Sequence, residues 1–237
     1  MARPTEHEVL AAVLRIRCES VQVLAWQRAR PPDSGRWALP GGLLGDDEDV
    51  ERSVRRQLAE KVDLREVTHV EQLAVFSRPD RVPGIRRIAT AFLGLVPSDA
   101  DPAVPPDTVW HPLAVLPAPV LEHAAFDHAA IVAAARDRLR AKLSYTNLGF
   151  ALAPREFTIS ALRDLYAAAL EHPVSATNLQ RVLTRRHVLE PTGAVAPPGP
   201  VGGRPAALFR FTDRTLRVTD AFAVLRPPGE ATRVAVP

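Results

Sequence analysis

The segment from Gly42 to Leu64 constrains the fold of this chain more than any other part of its sequence. It follows the loop Trp37-Ala38-Leu39-Pro40-Gly41-Gly42 and continues into a charged stretch, from Asp49 to Val62, that reads as a helix. Apolar residues recur at every fourth position of this stretch, at Val50, Val54, Leu58 and Val62. One face of the helix is therefore apolar, and we expect it to pack on a core.

The spacing within this segment resembles the Nudix box of pyrophosphohydrolases. The positions in register with that pattern are Gly42, Glu48, Arg56, Leu58, Glu60 and Leu64. In that family the helix presents acids to a divalent metal, whereas this chain has Gln57, Glu60 and Lys61 there, and Asp63 replaces the closing glycine. The alternative is an amphipathic helix that matches by accident. The preceding loop, which is also the family's usual lead-in, weighs against that alternative. The resemblance implies an α/β protein whose residues 1–143 form a Nudix-fold α/β/α sandwich.

The charges at positions 57, 60 and 61 argue against a metal site. The spacing i, i+3, i+4 places these side chains on one helical face. Gln57, Glu60 and Lys61 sum to zero charge, whereas magnesium prefers carboxylate oxygens and is repelled by an ammonium group. Without metal, little is left to activate water. We therefore predict no catalytic residue, no metal ligand and no required cofactor, in a fold that binds a nucleotide but hydrolyses it poorly or not at all.

Composition narrows the class of protein further. A single cysteine, Cys18, excludes an intramolecular disulfide, and its apolar alternating surroundings predict a small core residue. No basic and apolar leader opens the chain and no run approaches eighteen apolar residues, which favours a cytoplasmic protein without a membrane span. Residues 1–143 have a net charge of −1 and residues 144–237 one of +4. The second part is thus compatible with a polyanionic partner such as DNA.

Apolar, β-branched runs in the first part predict strands, and an apolar four-residue repeat predicts a helix. The predicted strands are His7 to Ile16, Val21 to Arg28, Glu71 to Ser77 and Arg86 to Val96. The proline-rich residues 97–119 predict little regular structure. Asp127 is a plausible N-cap for a helix that runs to about Leu143 and bridges two units. We read Asp127 as a cap and His128 as a solvated first-turn residue.

The second part, residues 144–237, has the element order of a winged helix. A helical stripe runs from Ile159 to Leu170, and Ser175 opens a second helix with Leu179, Val182 and Leu183 inward. A stretch rich in Gly and Pro, Gly193 to Pro205, then precedes a strand at Ala207 to Phe211. The order helix, turn, helix and hairpin with a long tip predicts a DNA-binding winged helix-turn-helix domain.

Several runs together resemble the Nudix-related transcriptional regulators of the NrtR type, repressors of NAD metabolism. These runs include Ala125-Phe126-Asp127-His128-Ala129, Ser144-Tyr145-Thr146-Asn147 and Leu189-Glu190-Pro191-Thr192-Gly193. The resemblance covers roughly Ala11 to Phe211. It implies a homodimer that binds a palindromic operator in double-stranded DNA upstream of NAD synthesis or salvage genes. It also implies release by ADP-ribose or a related NAD-derived nucleotide.

ADP-ribose contains a pyrophosphate, so a site without metal must bind it with arginines and backbone donors. Arg86 lies where these regulators place an arginine, and Arg87 is beside it. Arg56 either contacts the ligand or orients Glu48 or Glu60, and Trp37 either stacks on adenine or is a core or lid aromatic. The predicted effector-binding residues are Trp37, Gly41, Gly42, Glu48, Arg56, Glu60, Arg86 and Arg87.

The outward face of the second helix predicts contacts with DNA. Its side chains can reach both base edges and phosphates, although a merely solvated face would look similar. Arg204, between Gly203 and Pro205, is the candidate for a minor-groove or phosphate contact of the wing. The predicted DNA-binding residues are Thr177, Asn178, Gln180, Arg181, Arg185 and Arg204.

The sequence thus favours a ligand-released repressor over two other classes of protein. One rival is a hydrolase that uses Glu48, Glu51 and Glu60 as a reduced metal set, with the second part serving for dimerisation. Lys61 and Gln57 weigh against it. The other rival is a sensor that does not bind DNA, which the outward polar helix and the arginine in the wing disfavour.

Overall fold

The computed structural model describes residues 4–113, 119–197 and 205–220. The chain divides into two compact units, Met1–Arg138 and Leu139–Pro237. This division falls inside one helix, a few residues before the predicted boundary between residues 143 and 144. No helix among the described residues is long and apolar enough to cross a membrane.

The first unit is built on a seven-stranded mixed sheet. Its central path runs β3-β2-β1-β6-β5, while β4 pairs with β1 and β7 pairs with β2. β1 and β6 are parallel and the other pairs are antiparallel. The strands are β1 (Thr5–Arg17), β2 (Ser20–Gln27), β3 (Trp37–Ala38), β4 (Gly41–Leu43), β5 (His69–Phe76), β6 (Arg86–Leu95) and β7 (Thr108–Pro112).

Cys18 lies in the turn between β1 and β2 and not in the core. Cys18 and Glu19 have φ values of 51° and 55°, and Arg17 pairs with Ser20 across the turn. Two left-handed residues in a two-residue loop twist in the same sense as the strands that they join, which suits a tight hairpin. Cys18 is exposed, so the prediction of a core cysteine was wrong. Strand β1 ends at Arg17, one residue before it.

Strand β7 lies in the proline-rich segment for which little regular structure was predicted. It pairs with β2 over five residues, with Trp110 opposite Leu24. The prediction was wrong for these residues because pairing with a neighbouring strand overrides a weak local propensity. Residues 114–118 of the same segment lie outside the described part of the chain.

Helix α1 (Val50–Val62) forms where the box predicts it. Asp49 caps its first turn by accepting a hydrogen bond from Arg52 N (2.7 Å). At the other end Asp63 has a φ of 48°, and Leu64 N donates to Leu58 O (3.0 Å). Asp63 thus adopts the left-handed conformation that the family's glycine would supply. The buried residues of α1, among them Val54, Leu58 and Val62, pack against Val9, Ala11, Val13, Leu24 and Phe92 of the sheet.

Two further helices follow the sheet, α2 (Pro119–Glu122) and α3 (His128–Tyr145). The predicted apolar repeat of α3 is buried at Ile131, Ala135, Leu139 and Leu143. Because α3 crosses the division between the two units, its backbone is the covalent connection between them.

The second unit has the predicted order of a winged helix-turn-helix. Thr158 and Ser175 cap the two helices of the helix-turn-helix through their hydroxyl groups. The strand order is β8-β10-β9, so the first short strand joins the wing hairpin. The elements are a 3-10 turn (Leu148–Ala151), β8 (Phe157–Thr158), α4 (Ile159–Leu170), α5 (Ala176–Arg185), β9 (Leu189–Val195) and β10 (Ala207–Phe211).

Two residues of the Tyr145-to-Gly149 region organise the second unit. Asn147 is 1 % exposed, and its side chain donates to Thr215 O (2.8 Å) and accepts from Arg217 N (2.7 Å). A Cβ atom on Gly149 would lie 2.6 Å from the hydroxyl of Tyr166 and 2.9 Å from the ring of Phe211. Only glycine fits at that position without displacing the core.

Candidate functional site

Gly41 and Gly42 bring the loop before the box into close contact with β1 and α1. A Cβ atom on Gly41 would lie 2.2 Å from the carbonyl oxygen of Val9. One on Gly42 would lie 2.6 Å from the amide nitrogen of Gln57. The glycines are therefore needed for packing in this loop, whether or not their amides also meet a ligand.

Arg56 binds two carboxylates of the box. Its Nε and Nη2 donate to Glu48 (2.9 and 2.5 Å), and its Nη1 donates to Glu60 (3.0 Å). Gly45 N also donates to Glu48 (2.8 Å). The hydrogen bonds from Arg56 and then from Gly45 lower the pKa of Glu48 to about 2. This geometry matches the alternative in which Arg56 orients the box acids.

The remaining box positions do not fit a divalent cation. Gln57 is 4 % exposed, and its Nε2 donates to Leu43 O at 3.4 Å, whereas Lys61 is exposed on the helix surface. Glu48 and Glu60 are held by Arg56. A hard cation needs several free oxygen ligands at one point. Within the described residues no group of three or more His, Cys, Asp or Glu side chains could hold a metal ion.

A pocket of about 140 Å³ lies beside the box, against strands β1 and β2. Of the predicted effector residues, Gly41, Gly42 and Arg87 line it. Sites that enclose a drug-sized ligand usually have volumes of about 300–1,000 Å³, so this pocket is too small to enclose a whole dinucleotide-sized ligand. Its other lining residues include Glu8, Trp26, Arg28, Phe126 and His128, none of which the sequence analysis assigned to the site.

Five charged side chains behind the pocket form one network. Arg81 pairs with Glu8, and its Nε and Nη2 donate to Asp127 (2.9 and 2.7 Å). Arg87 donates to Glu6 (2.9 and 2.5 Å) and to Glu8 (3.4 Å). The Arg81 side chain is fully buried. Asp127 directly precedes α3 as predicted, but the sequence did not reveal that its carboxylate binds an arginine from the turn between β5 and β6.

His128 is buried and not solvated, so that prediction was wrong. Its Nδ1 accepts a hydrogen bond from Leu39 N (3.0 Å), and burial lowers its pKa to about 4. The residues before α3 hydrogen-bond to β3 through Ala125 N and Trp37 O (2.8 Å). This hydrogen bond joins the residues before α3 to β3, a contact between distant parts of the sequence that local patterns do not reveal.

Trp37 and Arg86, like Glu48, Arg56 and Glu60, are not among the residues that line the pocket. The Trp37 ring packs edge-on against His111, with ring centroids 4.2 Å apart, which matches the alternative of a core or lid aromatic. Arg86 Nη1 donates to Ser77 O (2.8 Å) in the turn that precedes β6. Contact of either residue with a ligand stays a prediction.

In the second unit, α5 presents the predicted polar face. Thr177, Asn178, Arg181 and Arg185 are exposed, Gln180 is half-buried, and Leu179 and Leu183 are buried beneath them. Arg181 Nη2 donates to Asn178 Oδ1 (2.8 Å), so these two side chains are already oriented together. Val182, predicted to point inward, is half-buried. Arg204 lies outside the described residues.

Comparison with known families identifies both units. The NUDIX domain family matches residues 6–134, and the NrtR DNA-binding winged helix domain matches residues 149–211. The predicted fold of both units is thereby confirmed. A curated relative, the ADPR responsive transcriptional repressor NtrR of Acinetobacter baylyi, is 29% identical over 205 residues, covering 84% of this chain and 79% of the relative.

Solved structures of NrtR from Shewanella oneidensis resemble the chain over most of its length. One is 30% identical with a TM-score of 0.74 and covers 87% of this chain and 94% of that one. The same protein complexed with a 27mer DNA is 29% identical with a TM-score of 0.72, covering 86% and 93%. Its NUDIX domain complexed with ADP ribose is 31% identical with a TM-score of 0.50, covering 58% and 90%.

The buried His128 makes the first unit sensitive to pH. Its folded pKa of about 4 lies below the ordinary value of 6.5, so the unfolded chain binds the proton first. The contribution of His128 to the free energy of unfolding is therefore complete above pH 6.5, and we expect it to fall as the pH drops towards 4, by about 3 kcal/mol in total. Urea unfolding at successive pH values measures this, because Trp26, Trp37 and Trp110 all report on the first unit.

His128→Asn keeps an acceptor for Leu39 N but cannot take up the proton. We expect its free energy of unfolding to depend less on pH between 6.5 and 4 than that of the wild type. The control is His172→Asn, which alters an exposed histidine of the second unit. Parallel curves for His128→Asn and the wild type would exclude His128 as the source of the dependence.

Proposed function

The chain belongs to the NUDIX domain family and continues into an NrtR DNA-binding winged helix domain, and from this premise we propose that it is a transcriptional repressor. It binds a palindromic operator as a homodimer and is released by ADP-ribose or a related NAD-derived nucleotide. The regulated genes are those of NAD synthesis or salvage. The names of the Acinetobacter repressor and of the Shewanella complexes with DNA and with ADP ribose support this proposal.

The observation that most supports a sensor over an enzyme is the arrangement of the box. Glu48 and Glu60 are bound to Arg56, Gln57 is buried against Gly42, and Lys61 places an ammonium group on the same helix. Hydrolysis of a pyrophosphate in this fold requires metal-bound oxygen ligands and an activated water. The protein therefore binds its nucleotide without turning it over at an enzymatic rate.

The pocket supplies a positive group for the diphosphate of the ligand. Arg87 lines it, and an arginine fork matches phosphate oxygens well. Arg87 is also held by the carboxylates of Glu6 and Glu8. An anionic ligand at Arg87 competes with these carboxylates, so binding changes the charge balance around Glu8.

That change reaches the helix that continues into the DNA-binding unit. Glu8 shares Arg81 with Asp127, the residue directly before α3. When the ligand draws Arg87 away from Glu8, the interaction of Glu8 with Arg81 strengthens and the hold of Arg81 on Asp127 changes. We name the set Glu8, Arg81 and Asp127 the Arg81 clamp. It is the route by which occupancy of the pocket alters α3.

The first test is an electrophoretic mobility shift with DNA from upstream of NAD synthesis or salvage genes. We expect the protein to bind this DNA, to ignore unrelated DNA, and to dissociate when ADP-ribose is added. In parallel, ADP-ribose is incubated with the protein and magnesium, and the products are measured by chromatography. Turnover on the order of 1 per second, typical of enzymes, would favour the hydrolase rival instead.

The Arg81 clamp is tested with Asp127→Asn, which keeps an acceptor oxygen but removes the charge that Arg81 binds. We expect the variant to bind operator and ADP-ribose nearly as the wild type does. The shift in operator affinity caused by ADP-ribose should fall by at least about fivefold, since coupling between sites is typically 1–3 kcal/mol. Asp101→Asn is the control because it removes an exposed carboxylate paired with Arg17. Wild-type release by Asp127→Asn would disprove the clamp.

The DNA contacts are tested with alanine at Arg181, Arg185 and Arg204. We expect Arg181 to read a guanine, so that its loss costs about 1–3 kcal/mol only at sites with that base. Arg204 should contact phosphate, so that its loss weakens all sequences and reduces the salt dependence by about one counterion per subunit. Arg185 does either. The control is Arg17→Ala in the first unit. Wild-type binding by all three variants would leave the second unit as a dimerisation module.

A further inference from the structure

Phe126 has an unfavourable backbone conformation in the wall of the pocket. Its φ is 52°. A residue with a bulky side chain rarely adopts this left-handed conformation, because it is energetically unfavourable. The surrounding structure enforces this conformation. Phe126 N donates to Asp33 Oδ2 (2.9 Å), and Ala125 N, one residue earlier, donates to Trp37 O (2.8 Å). Strained residues that are fixed in this way concentrate at ligand sites.

The strained backbone places the Phe126 ring at the open wall of the pocket. The ring is half-buried and lines the pocket together with Trp26 and Arg28. The guanidinium carbon of Arg28 lies 4.8 Å from the centre of the ring. Arg28 is itself held by Pro32 O, which accepts from its Nε (3.0 Å). Ring and guanidinium are thus fixed before any ligand arrives.

The two ends of the pocket differ in chemistry. Arg87 and Glu8 form a charged end, whereas Trp26, Arg28 and Phe126 form an end of flat groups. A flat aromatic heterocycle is the ligand group that matches such an end, because aromatic rings and arginine planes both stack on bases. At the charged end, the guanidinium of Arg87 suits a diphosphate that displaces it from Glu6 and Glu8.

We propose that Phe126, with Arg28 stacked on its ring, is the residue that recognises the base of the effector. This proposal rests on the proposed function, in that the ligand is a nucleoside diphosphate. The ring and the guanidinium provide a stacking surface for a purine, while Arg87 binds the diphosphate. Phe126 directly precedes Asp127, which belongs to the Arg81 clamp. A base that stacks on the Phe126 ring therefore acts next to the clamp.

The decisive comparison is between Phe126→Leu and Phe126→Tyr in the full-length chain, with ADP-ribose binding measured by calorimetry. Leucine keeps an apolar side chain of similar volume but cannot stack, whereas tyrosine keeps the ring. We expect Phe126→Leu to lose about ten- to a hundredfold in affinity, the range of a lost base stack. Phe126→Tyr should stay within about threefold of the wild type. Equal affinities of the two variants would overturn the proposal, since packing alone would then explain the ring.

A second variant tests the stacking surface of Phe126 and Arg28 without changing the strained residue. Arg28→Met removes the guanidinium from the ring and should weaken ADP-ribose binding by about three- to tenfold. Arg17→Met, an exposed arginine of the same unit, is its control. If Phe126→Leu does not fold, unchanged binding by Arg28→Met overturns the proposal. If the wild type binds no ADP-ribose, the proposed function itself is refuted. If the wild type and Phe126→Leu bind ADP-ribose with equal affinity, only the stacking surface is refuted.

Discussion

The first unit depends on one fully buried cation. Arg81 comes from the turn between β5 and β6 and binds Glu8 of β1 and Asp127 at the start of α3. A buried arginine is tolerated only when its charge is paired, and removing one partner of such a pair typically costs about 3–5 kcal/mol. The turn, the first strand and the helix are therefore fixed relative to one another by the same side chain. The pocket lies beside this point, because Glu8 is also part of its wall.

The box helix shows how a metal-binding frame can persist as a structural element. Arg56 binds Glu48 and Glu60, Gln57 packs on Gly42, and Asp63 closes the helix in the left-handed conformation. These contacts fix the loop on α1. Loss of the metal-binding acids is thus compatible with retention of the loop geometry that shapes the pocket.

The sequence predicted those parts of the molecule that depend on residues close to one another along the chain. The helix start at Ser175 and the apolar repeats of α1, α4 and α5 are local signals, and the helices form where these signals lie. The strand β7 was missed because pairing with β2, and not its own residues, decides it. The contacts of Arg81 and His128 were missed because their partners are distant in the sequence. Arg81 and Glu8 are 73 residues apart, and Leu39 and His128 are 89 apart.

A sensor of this kind works only if the ligand interacts differently with the two states of the protein. In the proposed sensor, a diphosphate would compete with the carboxylates of Glu6 and Glu8 for Arg87, so the ligand would replace an internal ion pair. Such an exchange limits the affinity, because the ligand must replace existing contacts. It would also alter the partners of Glu8. Under the proposed function, Gln57 and Lys61 leave the box without the acids that hydrolysis needs, so occupancy of the pocket would follow the concentration of the nucleotide.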